Sequence, residues 1–371
     1  MSKLIAFITD EKRYSVIVPL IAVIGAFIMG TIIMMITKTN PIDAFKAIIR
    51  SVTGMNLNQI GTARFFNARL IGEFLTTVMP ITLTGLSVAF AFRTGLFNIG
   101  AEGQLIMGAM AATSVSILIQ APAIIHLPLV ILAAITAGAL WGLIPGFLKA
   151  RFKVHEVVVT IMLNYTALYT SNYILKSLPG SDSVKTVQSH ATGTLRSAWL
   201  SQMTNGSRLH WGFILVILAV IVFWFIIEKT TFGYELRAVG YNKEAARYAG
   251  MKVNARIMYS MAIAGAFSGL AGAMISVGTF NYGRVIAAAE GYGFEGIAVA
   301  LLGGNTALGT VFGGLLFGGL KSSQAIMQSS GVPLEIAVII SSLMVLFVAM
   351  KFGIQELLKY LRKKSQPKGG Q

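Results

Sequence analysis

The chain contains no cysteine, which excludes a disulfide framework and any thiolate metal site. Acids are scarce, 14 against 30 Lys and Arg. The four histidines, His126, His155, His190 and His210, form no His-x-x-x-His pair, and no paired carboxylates occur beside them. Metal chemistry and hydrolysis therefore lack support, and no enzymatic activity, catalytic residue or bound cofactor is expected of this chain. Charged residues of both signs make up only 12%. What remains is 55% hydrophobic with a mean hydropathy of +0.73, more apolar surface than a soluble fold of 371 residues can hide. The expected fold is an all-α polytopic membrane bundle, one transmembrane domain over residues 1–371. A nucleotide site is also lacking. Residues 313–322 (GGLLFGGLKS) imitate a P-loop, but Leu320 separates Gly319 from Lys321 and no strand precedes them.

Apolar runs give about ten spans, at residues 14–37, 74–92, 102–119, 129–148, 157–175, 211–227, 257–280, 291–302, 307–328 and 334–350. The first is longer than a signal-peptide core and lacks a small-x-small cleavage pattern, so it reads as a retained helix. An even count puts both termini on one side. Most of the 30 bases then fall in short loops on that side, which the positive-inside rule makes cytoplasmic. The net charge of +16 is thus explained by membrane orientation, and no nucleic-acid partner is expected. Two longer segments lie outside. Residues 38–72 hold an amphipathic helix opening at Pro41, with Ala44, Ala47 and Ile48 on one face. Residues 176–210, rich in Ser, Thr and Gly, read as an irregular loop.

A polar island at residues 229–256 separates two strongly apolar segments, and in it Lys229, Arg237, Lys243, Arg247, Lys252 and Arg256 outnumber Glu235 and Glu244. It encodes a short helix with both ends marked. Asn242 is the N-cap, Glu244 lies in the positive first turn, Arg247 is near the last turn, and Gly250 closes it. Two turns do not persist alone in water, so the helix needs a partner. Tyr241, Ala245 and Tyr248 share a face that can meet one.

Glu244-Ala245-Ala246, three residues, then Gly250 resembles the EAA-x-x-x-G loop by which membrane subunits of ABC importers dock on their ATPase. Residues 95–104 (GLFNIGAEGQ) are similar to a signature of permeases for nucleosides and simple sugars, and the glycine-rich last third is similar to that family as well. The resemblance covers most of the chain and is nearest to nucleoside permeases. It implies a multi-pass subunit of a bacterial cell membrane that imports nucleosides or related sugars. It also implies a separate ATPase that binds ATP-Mg, an external solute-binding protein, and a second, different permease subunit. Tyr241, Asn242, Glu244, Ala245, Ala246, Tyr248 and Gly250 would then couple to the ATPase.

Glycines at four-residue spacing, as at Gly138, Gly142 and Gly146, at Gly265 and Gly269, at Gly309 and Gly313, and at Gly314 and Gly318, predict close helix crossings. In residues 95–104 three glycines accompany Asn98, Glu102 and Gln104, side chains that are costly in lipid. Either the helix breaks here beside the translocation route, or a tight turn precedes an ordinary helix with Glu102 at its positive end. Residues 291–305, with Glu295 and Asn305, form a second candidate break. Candidate pathway residues are Phe97, Asn98, Glu102, Gln104, Asn164, Tyr165, Glu295 and Asn305. Asn164 with Tyr165 offers an amide and an aromatic ring to a sugar or base, or Asn164 bonds across to a neighbouring helix. Glu73 and Glu156 are expected at span ends facing water or headgroups. The alternative function is an ion-coupled secondary transporter, for which Glu102 and Glu295 are the only mid-span carboxylates on offer.

Overall fold

The computed structural model describes residues 14–62 and 64–365. The bases Lys3, Lys12, Arg13 and Lys368, which weigh in the expected orientation of the termini, lie outside the described residues. The helices are α1 (Tyr14–Ile36), α2 (Pro41–Thr53), α3 (Ala68–Arg93), α4 (Ala101–Leu118), α5 (Ala123–Phe152), α6 (Glu156–Ser177), α7 (Ala198–Met203) and α8 (Gly212–Lys229). They continue with α9 (Thr231–Tyr241), α10 (Lys243–Tyr248), α11 (Val253–Ala273), α12 (Tyr292–Leu302), α13 (Ala307–Ser329), α14 (Glu335–Ala349) and α15 (Lys351–Ser365). A π-helical turn, Met274–Phe280, prolongs α11, and strands β1 (Lys185–Gln188) and β2 (Tyr282–Arg284) pair antiparallel.

The chain divides into two compact units. One comprises residues 1–48 and 323–371. In its described part α1 packs on α14 so closely that a Cβ on Gly30 would lie 2.6 Å from the Ile340 side chain. Ala44 and Ala47 of α2 are buried, as the amphipathic pattern predicts.

The other unit, residues 49–322, contains the sites of interest. Its centre is the crossing of α5 and α11. A Cβ on Gly138 would stand 2.3 Å from the Gly265 carbonyl, and one on Gly142 would stand 2.3 Å from the Met261 carbonyl. The glycine stripes therefore let the two backbones touch, as their spacing predicts. Pairs at Gly314 and Thr82 and at Gly318 and Val78 bring α13 against α3 in the same way. Phe90, Phe223 and Phe267, from α3, α8 and α11, close the core with ring centroids 5.8 to 6.2 Å apart.

Among the described residues six helices are long and apolar enough to cross a membrane, or seven if α14 and the bent segment after it form one span. The expected spans that fall short do so for physical reasons. The α12 helix has 11 residues, a length of about 16 Å, half of a hydrocarbon core. The α6 helix has 22 residues but spends many on Thr, Asn, Tyr and Ser. Two local expectations are corrected. Residues 176–210 are not wholly irregular, because they contain β1, which pairs with β2, followed by a 3-10 turn and α7. Glu156 does not face water, since it is 6% exposed and paired with Lys149. Glu73 meets Arg208 at 2.6 Å.

Candidate functional site

The polar island folds as its caps dictate. Thr230 accepts from the Gly233 N–H at 3.0 Å and starts α9, which turns back along α8 with Leu236 and Val239 buried. Asn242 then accepts from the N–H groups of Glu244 and Ala245, both at 3.0 Å, and starts α10. Glu244 pairs with Arg247 at 2.8 Å, and Gly250 ends the turn with φ +81. Tyr241, 92% exposed, ends α9 because Asn242 is extended, so the single helical face expected of Tyr241, Ala245 and Tyr248 is divided between two helices. On α10 Tyr248 is 94% exposed, and Ala245 is exposed beside it. Ala246 does the opposite. It is buried among Ala91, Leu96 and Val253, so it anchors α10 and has no surface for a partner.

Between the end of α3 and α9 opens a cleft of about 670 Å³, lined by Phe92, Arg93, Tyr234, Arg237, Gly240 and Tyr241. Its wall is held by Glu228, which pairs with Arg93 and, at 2.6 Å, with Arg237. Behind it, Arg256 meets Glu235 at 2.5 Å and lies 4.8 Å from the Phe232 ring centroid.

The turn joining α3 to α4 rests directly on α9. A Cβ on Gly240 would lie 2.5 Å from the Arg93 carbonyl and 3.0 Å from the Gly95 nitrogen. Thus the two stretches picked out separately in the sequence, residues 95–104 and 229–256, are in backbone contact. Of the two readings of residues 95–104, the structure has the tight turn followed by a continuous helix, with Glu102 in its first turn. The turn is nonetheless buried in protein. Asn98 donates to Ser87 at 3.1 Å and to Gln104 at 2.9 Å, and Gln104 donates back to Asn98 at 3.1 Å. Phe97 stands apart from this network and stacks on Phe92 with centroids 5.2 Å apart.

Glu102 reaches across to the start of α12. Its carboxylate oxygens accept from the N–H of Gly291 at 2.9 Å and of Gly293 at 2.5 Å. A Cβ on Gly293 would fall 2.3 Å from the Glu102 nitrogen, so the first turns of α4 and α12 touch. Both amides are ones that a helix start leaves unpaired, which explains why a carboxylate belongs there.

Asn164 bonds across, accepting from Gly103 N–H at 2.8 Å and donating to the Ile99 carbonyl at 3.1 Å. Tyr165 is 61% exposed while Asn164 is buried, so the expected amide-plus-aromatic pair does not form. One residue along a helix rotates a side chain by about 100°, which separates the two faces. Glu295 accepts from Lys321 at 2.9 Å, and the same ammonium donates to the Glu290 carbonyl at 3.2 Å and lies 4.0 Å from the Tyr292 ring centroid. Arg284 grips Glu290 through two bonds of 2.6 Å. Sequence reasoning missed Lys321, Tyr292, Arg284 and Glu290. The available signal was Lys321 itself, a lone base in an apolar helix that needs an acid in reach. Asn305 sits beyond the opposite end of α12 with φ +56, outside this cluster.

The family model for the permease component of branched-chain amino acid transport systems matches residues 70–349. The chain is 48% identical to the guanosine ABC transporter permease protein NupP of Bacillus subtilis, over 95% of this chain and 99% of that one. It is 36% identical to the nucleoside ABC transporter permease protein NupB of Lactococcus lactis, over 94% of each. It is 32% identical to the glucose ABC transporter permease protein TsgB13 of Haloferax volcanii, over 89% of this chain and 86% of that one.

Proposed function

This chain belongs to the permease family of branched-chain amino acid transport systems, and on that basis we propose that it carries nucleosides, or related simple sugars, into the cell as one transmembrane permease domain. The names of its nucleoside-transporting relatives support this substrate class. The observation that carries the mechanism is the contact of Gly240 with residues 93–95, because it joins an exposed docking helix to the buried polar network by one step of backbone.

In this mechanism an ATPase subunit grips Tyr241, Ala245 and Tyr248 and enters the cleft beside them. Nucleotide-driven closure displaces α9 and α10 as a body, since the ion pairs of Glu228 and Glu235 and the buried Ala246 tie them to the bundle. Packed backbones do not stretch, so the displacement passes to the α3–α4 turn and through Glu102 to α12. The α12 helix, short and held by its first turn, is the element that shifts between outward and inward access. The partners are this ATPase with its ATP-Mg, an external solute-binding protein delivering cargo to the segments at 38–72 and 176–210, and a second permease subunit completing the pathway. About ten spans with both termini cytoplasmic complete the topology, with α6, α12, α13 and α14 crossing or entering the membrane beside the more apolar helices.

An ion-coupled carrier is less well supported, because both carboxylates it would use already have partners, Glu102 two backbone amides and Glu295 Lys321. The test is uptake of labelled guanosine, uridine, ribose and glucose by vesicles holding the assembled transporter. Saturable uptake of nucleosides, competed by one another and weakly by sugars, is expected. Uptake of branched-chain amino acids in their place would overturn the substrate assignment.

A further inference from the structure

Between β2 and α12 the chain runs without helix or strand over residues 285–291. Its depth can be read from α4, one of the helices able to cross a membrane. At the upper end a Cβ on Gly283 would lie 2.8 Å from Thr113, and at the lower end Gly291 donates to Glu102. Those two α4 residues are separated by about 16 Å of helix rise. The segment therefore descends through the middle of a span instead of lying above it.

It is fastened at both ends. Asn172 of α6 donates to the Ile286 carbonyl at 2.7 Å and accepts from the Ile286 N–H at 3.1 Å, a two-point clamp on the backbone of one residue. Glu102 holds Gly291 and Gly293 below. Between the clamps residues 287–290 are exposed, and among the described residues the N–H groups of Ala287, Ala288, Ala289 and Glu290 have no hydrogen-bond partner. The small cavity behind the segment, about 40 Å³, has room for only about three waters, so a solute would have to sit on the exposed side. Unpaired backbone at this depth is intolerable against lipid and is sustained only where it faces water or protein. On α6, Tyr169 and Tyr173 are 68% and 77% exposed and lie one turn apart, both to the same side of Asn172, at about 60° and about 100° round the helix from it.

We infer that residues 287–290, clamped by Asn172 and Glu102, form a solute-contacting wall of the translocation pathway, to which the exposed rings of Tyr169 and Tyr173 on α6 add. Peptide donors and acceptors meet the hydroxyls or ring edges of a polar solute, and the tyrosine faces meet a flat base or the apolar face of a sugar. The inference rests on the permease reading above and specifies where in that permease the cargo touches.

The chain has no cysteine of its own, so Ala287→Cys, Ala288→Cys and Ala289→Cys each introduce a single thiol by a small change at an exposed position. In the assembled transporter these thiols are exposed to a charged, membrane-impermeant methanethiosulfonate, with guanosine as the protecting solute. Leu132→Cys and Leu140→Cys, on the exposed apolar side of α5, serve as lipid-facing controls. Labelling at least tenfold faster than at the controls, slowed by guanosine and followed by loss of uptake, is the expected result. Labelling as slow as at the controls would mean that lipid or a partner subunit covers the segment, and the inference would fail. Rapid labelling that neither responds to guanosine nor affects uptake would defeat it equally. In parallel, Tyr169→Ala should raise the KM for uptake at least fivefold and Tyr169→Phe restore it; unchanged KM in Tyr169→Ala contradicts a stacking role. ATP-driven uptake by the transporter carrying the unsubstituted chain keeps the permease reading intact even if labelling of the variants fails, so the two failures are distinguishable.

Discussion

Glu102 and His210 show how single buried groups fix this chain. Glu102→Ala strands the N–H groups of Gly291 and Gly293 at a cost of about 1–3 kcal/mol each, and Glu102→Gln can satisfy only one of them. Both variants should melt earlier in detergent than the wild type and lose most of their uptake, Ala more than Gln; wild-type melting and uptake in Glu102→Ala would show that this carboxylate anchors nothing. His210, in the segment before α8, is fully buried, and burial together with the nearby Arg196 charge pushes its pKa down to about 4. Its Nδ1 accepts from Gly212 N–H at 3.1 Å, so the neutral ring carries its proton on Nε2 and a second proton would break that bond. The unfolded chain takes up this proton near pH 6.5 and the folded chain only near 4, so His210 lowers stability progressively as pH falls through that window. Thermal melts of the solubilised protein should show this decline, and His210→Gln should flatten it. Glu102 was legible in the sequence as a costly acid among glycines, but its partners 189 and 191 positions away were not. Burial of His210 was illegible, because it depends on a fit against Gly278 that no local pattern announces.

Short elements were the most readable, because their signals are local. The cap at Asn242, the left-handed Gly250 and the shared exposure of Ala245 and Tyr248 follow from helix geometry, whereas Tyr241 is cut off from their helix by the extended Asn242. The inward turn of Ala246 was missed, since a motif names residues without saying which face is covered. Tyr248→Ala removes only exposed surface, so melting should stay unchanged while uptake falls at least tenfold and ATP hydrolysis becomes uncoupled from it. Normal uptake in that variant would reduce α10 to an ordinary loop. Gly250→Val imposes a left-handed conformation on a branched residue, at about 1–2 kcal/mol, and should fray α10 with the same functional loss; Gly250→Asn should be tolerated. The α5–α11 crossing behaves differently. Gly265→Leu would drive a side chain into the Gly138 carbonyl, where even a Cβ would come within 2.1 Å. Misassembly, seen as protease sensitivity and loss of the solubilised monodisperse species, is expected.

At the scale of the molecule, composition alone disclosed an all-helical membrane protein, and glycine spacing disclosed how its helices approach. Counting spans was harder. Apolar runs record length and hydropathy, whereas α6 and α12 carry polar residues or stop short because protein surrounds part of them. Non-local pairings such as Lys321 with Glu295 and Asn172 with Ile286 leave no periodic trace, so the polar interior became visible only in three dimensions. The central claim is that this chain provides a pathway and receives its driving force from an ATPase gripping α10. It is tested most directly by guanosine uptake into proteoliposomes containing the permease pair and ATPase, with external binding protein supplied and all ion gradients collapsed. Accumulation that requires ATP on the ATPase side and disappears when the ATPase is omitted is the predicted result; accumulation by the permease without the ATPase, driven by a proton or sodium gradient, would contradict it.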